Sequence, residues 1–236
     1  MIINADAKGL EVVCAAYLSR DKVMMQEIIN GVDIHGENQK LFNIPRLIAK
    51  ILKFRIIYGG TTYSFANDPD FSEISTSEKY WQKMIDKYYD KYKGLREWHG
   101  NLLREVTLTG QIVNPTGRIF KFEPKPNYRG DLVWPITQIK NFPVQSFGAD
   151  VMAIIRVSFR RRFINEGING VLVNTVHDSI VADIDKQEVE RCNRIFHSVF
   201  ADFPSNLQRV FGIPFDLPLN AEVSIGSNMK DLKEIT

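Results

Sequence analysis

Residues 46–59 read RLIAKILKFRIIYG, in which Arg46, Lys50, Phe54 and Tyr58 recur every four residues and Gly59 follows. Residues four apart share one face of an α-helix, each about 40° further round than the last. The result is a slanting stripe of two cations and then two aromatics. Ile48, Ile51, Leu52 and Ile56 fall off this stripe, whereas a helix built only for core packing would carry its aliphatics along it. Charge followed by flat apolar surface suits a nucleoside triphosphate, with phosphates at one end and sugar and base at the other. Asn43 and Pro45 open this helix, since proline is tolerated in a first turn, and Gly59 and Gly60 stop it.

Outward from that helix, two aspartates stand beside strands. Met1-Ile2-Ile3-Asn4-Ala5 suits a short buried strand, and Asp6 follows it and precedes an apolar helix from Leu10 to Leu18. Such a carboxylate can hold a hard cation; alone, it also reads as a helix cap. Asp178, in Thr175-Val176-His177-Asp178-Ser179, lies between two apolar strands within 171–184. Aspartate there is also an ordinary turn residue.

The rest of the chain fills in around these points. Helices are expected over 22–30, over 77–106 with a break near Gly94, over 147–165 and over 188–200. A hairpin is expected within 107–122 and a last strand over 219–223. This order, strands with a large helical insertion between them, is an α+β pattern. The 236 residues carry a net charge of +2, with 44% hydrophobic and 25% charged. That is globular composition, and less basic than expected of a protein that wraps DNA unaided. Cys14 and Cys192 read as buried thiols, and no Cys/His spacing suggests zinc. No apolar run approaches the roughly 20 residues needed to span a bilayer, so no membrane partner is expected.

Residues 6–19, DAKGLEVVCAAYLS, resemble motif A of the family A (polymerase I-like) DNA polymerases. The 46–59 stretch resembles that family's R-x3-K-x3-F-x3-Y-G helix at all five fixed positions, and His177-Asp178 resembles its motif C. Asp33-Ile34-His35 resembles its D-I-H, Asn141-Phe142-Pro143-Val144-Gln145 its N-x-P-x-Q, Thr116-Gly117-Arg118 its hairpin G-R, and Glu222-Val223 with Gly226 and Asn228 its C-terminal pattern. Two positions depart from the family: Ser179 stands where many members have glutamate, and Thr137 where an arginine is usual.

The resemblance implies a DNA-templated DNA polymerase working with two magnesium ions, for which manganese is a substitute. Asp6, the Ala7 backbone carbonyl and Asp178 would hold metal, with Asp6, Asp178 and Lys50 the catalytic set. Arg46, Lys50 and His35 would bind the triphosphate of a dNTP, Phe54 would pack by its sugar, Tyr58 would stack by the templating base, and Glu11 would reject ribonucleotides. Asn141, Gln145, His177, Tyr58 and Gly59 would contact primer–template DNA. Taken singly, Glu11 also reads as a solvated helix residue, His35 as a surface residue, and Asn141 and Gln145 as caps of the next helix.

The implied architecture is an antiparallel-sheet palm at residues 1–18 and 137–236, with helical fingers at 19–136. Thumb and exonuclease domains are expected to be absent, and a second polypeptide is expected to supply the thumb and upstream palm. In that arrangement the opening strand would finish a sheet begun by the partner. The expected compartment is the cytoplasm, that of a bacterial host if the chain is phage-encoded. A phage-type single-subunit RNA polymerase is the nearest alternative, which Glu11 and Phe54 argue against. A non-catalytic DNA- or replisome-binding subunit is a further one, which the presence of both aspartates argues against.

Overall fold

The computed structural model describes residues 1–235. In chain order the elements are β1 (Ile2–Ala7), α1 (Leu10–Ser19), α2 (Lys22–Ile29), α3 (Ile34–Phe42), α4 (Arg46–Ile57) and α5 (Thr62–Ala66). Then come α6 (Glu78–Lys91), α7 (Lys93–Thr109), β2 (Gln111–Val113), β3 (Ile119–Lys121), β4 (Lys125–Pro126), β5 (Leu132–Val133) and α8 (Ile136–Asn165). The chain ends with β6 (Gly170–Val176), β7 (Ser179–Ile184), α9 (Val189–Ala201), α10 (Phe203–Phe211), β8 (Ala221–Gly226) and β9 (Lys233–Ile235). This is a mixture of helices and antiparallel sheet, as the sequence pattern predicts. It divides into two compact units, residues 1–11 with the chain from Ser146 onward, and Val12–Gln145. No helix among the described residues is long and apolar enough to cross a membrane.

The first unit is built on one antiparallel sheet in the order β6-β7-β1-β8-β9. Strand side chains alternate between faces, and β1 shows it cleanly. Ile3, Ala5 and Ala7 are wholly buried, while Ile2, Asn4 and Asp6 are half-buried. Helix α9 lies against β1 and β8. It buries Cys192, Ile195, Phe196, Val199 and Phe200, the i, i+3, i+4, i+7, i+8 stripe of a one-faced helix. Phe196 stacks on Phe159 of α8 at 3.7 Å between ring centroids, and Phe159 meets Phe163 at 4.2 Å.

The second unit is mainly helical. Its core includes an aromatic trio, Phe65, Phe71 and Trp81, with centroids 5.1–5.3 Å apart. Leu102, Val106, Ile112, Phe122 and Ile139 form a second cluster, under the β2–β3 hairpin. Asp21, only 1% exposed, ties two helix starts together. Its Oδ1 accepts from the Met24 N–H at 2.9 Å, capping α2, and its Oδ2 accepts from the Leu95 N–H at 3.2 Å in the first turn of α7.

The structure adds α5, α10 and the β4–β5 pair to the expected elements and places β9 after the strand expected to be last, and five other departures have bearing on the site and its supports. First, β1 runs on to Ala7, so Asp6 lies within the strand and is held from both sides. Second, β1 is the central strand of its sheet, and the edges are β6 and β9. The opening strand is therefore not an edge awaiting a partner. Third, an unforeseen helix, α3, is capped by Asp33; Asn43 closes it in the left-handed conformation (φ +55°) and does not open α4, whose N-cap is Pro45. Fourth, the break between α6 and α7 falls at Tyr92, with Gly94 inside α7. Gly94 serves close packing there, since a Cβ would sit 2.7 Å from the Asp21 Cα. Fifth, α8 begins at Ile136 and passes through Pro143. The proline deprives the Ile139 carbonyl of its usual donor, but its own carbonyl accepts from the Asn114 side chain at 3.2 Å.

Candidate active site

In the first unit, the site residues gather around Asp6. Its pairing partners across the sheet are Ser179 on β7 and Glu222 on β8. Directly opposed residues in antiparallel strands point to the same face. His177 and Asp178 are the two loop residues of the β6–β7 hairpin, because Val176 pairs with Ser179. His177 takes φ +52°, and positive φ is what two-residue hairpins use. The turn is tied to β1 by the Ala7 N–H, which donates to the Asp178 carbonyl at 2.8 Å.

Four carboxylates of this unit feel one another. Burial pushes the Asp6 pKa up to about 6, with Asp178, Glu222 and Glu11 adding repulsion and a hydrogen bond joining the Asp6 and Asp178 side chains. A cluster that resists its own ionisation is one that a cation would relieve. Ser179 adds no charge; its hydroxyl closes the turn by donating to the Val176 carbonyl at 3.1 Å. The further carboxylate beside Asp6 is Glu222, which also pairs with Lys8 at 3.1 Å. The sequence marks Glu222 only as part of a C-terminal pattern. Its alternation within β8, which buries Ala221 and Val223, is the signal that would have assigned it to the Asp6 face.

The chemistry of the donor set fits magnesium. Among the described residues, no group of three or more His, Cys, Asp or Glu side chains forms a ready metal cage. Magnesium is usually held by one or two carboxylates while keeping waters and phosphate oxygens. Asp6 and Asp178, with the Ala7 carbonyl, are such a set.

In the second unit, α4 presents its stripe on the accessible side. Arg46 and Lys50 are exposed and Phe54 and Tyr58 half-buried, while Ala49, Leu52, Lys53, Ile56 and Ile57 are buried. His35 of α3 lies beside the stripe, its ring 6.1 Å from that of Phe54. Burial, then Lys53, Lys50 and Arg46, lower its pKa to about 4, so at neutral pH it offers an uncharged N–H. Lys53 escaped the sequence reading. It is almost wholly buried, 3.5 Å from His35 Nε2 and 4.6 Å from the Phe54 ring centroid. Arg46 forms a two-pronged ion pair with Asp33.

Helix α4 ends at Gly59, with φ +78°. The aliphatic stem of Lys140 crosses it, leaving a hypothetical Cβ 2.6 Å from the Lys140 Cδ. Next in sequence, Asn141 and Gln145 lie inside α8, four apart and so on one helical face. Neither caps a following helix. The Asn141 Oδ1 is buried and finds no hydrogen-bond partner among the described residues. The structure thus brings Asp6, Glu11, His177, Asp178 and Glu222 together in one unit. It brings Arg46, Lys50, Phe54, Tyr58 and His35 together in the other, with Asn141 and Gln145.

Comparison with known proteins shows the family. The chain is 27% identical over 207 residues to DNA polymerase I of Aquifex aeolicus (strain VF5), covering 82% of this chain and 34% of that protein. It is 25% identical over 251 residues to the thermostable DNA polymerase I of Thermus aquaticus, covering 99% and 27%. It therefore spans only about a quarter to a third of the length of these curated relatives. Among solved structures, the POL domain of Pol1 from M. smegmatis, in complex with DNA primer-template and dNTP, has the same fold. The TM-score is 0.77 at 18% identity, over 95% of this chain and 39% of that one. The model of DNA polymerase family A matches residues 1–231, and the chain belongs to that family.

Proposed function

We propose that the chain is the palm and fingers portion of a DNA-templated DNA polymerase, adding a deoxynucleotide to a primer 3′-hydroxyl. The observation that carries this reading is the carboxylate pair. Asp6 and Asp178 stand on hydrogen-bonded neighbouring elements, with Asp6 pushed up to about 6 by burial and by Asp178, Glu222 and Glu11. Two further facts point the same way: the relatives are DNA polymerases I by name, and the solved neighbour was captured with DNA primer-template and dNTP.

Two magnesium ions, when bound, supply activation of the primer hydroxyl and charge neutralisation of the leaving pyrophosphate. Asp6, Asp178 and the Ala7 carbonyl would hold them. Arg46 and Lys50 take the triphosphate, and His35 donates an uncharged hydrogen bond to it. Phe54 and Tyr58 offer flat surface to the sugar and base. Glu11 bars the ribose 2′-hydroxyl. Asn141, Gln145, His177 and Gly59 face the DNA; the Asn141 and Gln145 amides would donate to the minor-groove acceptors that all base pairs share.

The test is single-nucleotide addition to a labelled primer–template with magnesium, comparing the matched deoxynucleotide, the matched ribonucleotide and an Asp178→Ala control. Addition of the deoxynucleotide alone, lost in the control, is expected. Addition by Asp178→Ala would refute the metal assignment, and ready use of the ribonucleotide would refute the role of Glu11 and favour an RNA polymerase.

A further inference from the structure

Asp33 is joined to the nucleotide stripe by a contact that the proposed chemistry does not use. Its Oδ2 accepts from Arg46 Nη1 at 2.5 Å and its Oδ1 from Arg46 Nη2 at 2.9 Å, an end-on fork. The same Oδ1 accepts from the Gly36 N–H at 3.1 Å, capping α3. The carboxylate is thus anchored to a helix start while it grips the arginine. The first turn of α3 is bare at this point: a Cβ on Gly36 would come 2.6 Å from Asp33 Oδ2 and 3.1 Å from Arg46 Nη1. In its present position the fork occupies the space that a side chain on residue 36 would take.

Stability is a poor reason for such a pair. The side chains are 53% and 57% exposed, and exposed ion pairs contribute little to folding. Orientation is a better one. A guanidinium carries five N–H donors in a rigid plane. The end-on fork uses one from each terminal nitrogen, so three others stay available for an anion. An unrestrained arginine would have to give up rotamer freedom when a phosphate arrives.

We propose that Asp33 is a positioning residue for the incoming nucleotide, holding the Arg46 guanidinium in one plane with its outer donors presented to the triphosphate. This rests on the reading of Arg46 as a triphosphate ligand. The lowered pKa of Asp33, about 2, with the Arg46 hydrogen bond as its largest cause, keeps the carboxylate charged at every working pH.

Two roles of Asp33 are separable by substitution. Asparagine caps helices as well as aspartate does, and glutamate does not; glutamate keeps the charge, and asparagine loses it. A purely capping role predicts that Asp33→Asn is harmless and Asp33→Glu harmful. The positioning role predicts the reverse order. Binding of dATP with magnesium to the full chain, measured by isothermal titration calorimetry, reads the difference without requiring turnover. Asp33→Asn is expected to weaken binding roughly two- to fivefold, and Asp33→Glu to recover part of the loss. Asp33→Asn added to Arg46→Ala is expected to cost nothing more. Wild-type affinity in Asp33→Asn, or independent losses from Asp33→Asn and Arg46→Ala, would overturn the proposal while leaving Arg46 as a ligand. Wild-type affinity in Arg46→Ala would instead sink the triphosphate reading itself, and this proposal with it.

Discussion

Lys140 lays its aliphatic stem across Gly59, the left-handed residue that ends α4. The two constraints on that glycine are separate: φ +78° disfavours any side chain, and the lysine occupies the space where one would go. Gly59→Ala is expected to cost about 1–2 kcal/mol from backbone strain alone. Lys140→Ala in the same background should return only the part due to crowding. Urea unfolding of the two single variants and the double variant measures both parts; full recovery in the double variant would show that the backbone angle is not limiting.

Asp6 makes stability depend on pH in a defined direction. Its folded pKa, about 6, lies above its ordinary value near 3.8, so the native state keeps this proton longer than the unfolded chain does. The Asp6 contribution therefore falls as pH rises from about 4 to about 6 and is level above that. Unfolding midpoints taken in a chelator should show this decline, and Asp6→Asn should flatten it. Asp178→Asn should lower the Asp6 pKa without returning it to 3.8, because burial is the largest cause. Carboxyl carbon-13 NMR titration reads that shift directly, and an unmoved Asp6 would dissolve the pair.

His177 holds φ +52° with a full side chain. Left-handed backbone costs a non-glycine residue about 1–2 kcal/mol, and a glycine loses roughly 0.5–1 kcal/mol of that in extra unfolded-state freedom. His177→Gly is therefore expected to stabilise the chain by about 0.5–1 kcal/mol and to weaken primer–template binding. Denaturation and DNA-binding titration check the two halves. A destabilised variant would mean that the imidazole serves the fold and not the DNA.

Asp21 caps one helix and anchors the start of another from a buried position. Loss of a single cap costs typically about 1 kcal/mol, and a buried amide left unpaired costs about 1–3 kcal/mol. Asp21→Ala should thus lower stability by about 2–4 kcal/mol, measured by urea unfolding. A loss under about 0.5 kcal/mol would place it among ordinary surface substitutions.

What the sequence disclosed, and what it hid, follows from range. The four-residue spacing of Arg46, Lys50, Phe54 and Tyr58 is a local pattern, and the helix built from it has those residues on its accessible side. Asp6 and Asp178 were legible through their immediate neighbours. Glu222 was not, because its place beside Asp6 is a matter of register between β1 and β8. Lys53 was hidden in the same way: nothing in RLIAKILKFRIIYG says that this lysine is buried against His35. Asn43 misled because asparagine both starts and ends helices, and only its positive φ shows which it does here. The start of α8 at Ile136 was hidden because Pro143 lies inside it, and the Asn114 side chain that hydrogen-bonds the Pro143 carbonyl comes from a loop distant in sequence.

The place of β1 at the middle of its sheet has a consequence for endurance. Strands fray from the outside inward, and amides in a central strand exchange last. Here the rims are β6 and β9, and the strand carrying Asp6 is bonded on both flanks. Under thermal or chemical stress the sheet would shed its margins while the carboxylate at its centre stayed in register. The carboxylate proposed to hold metal is seated where local opening arrives last.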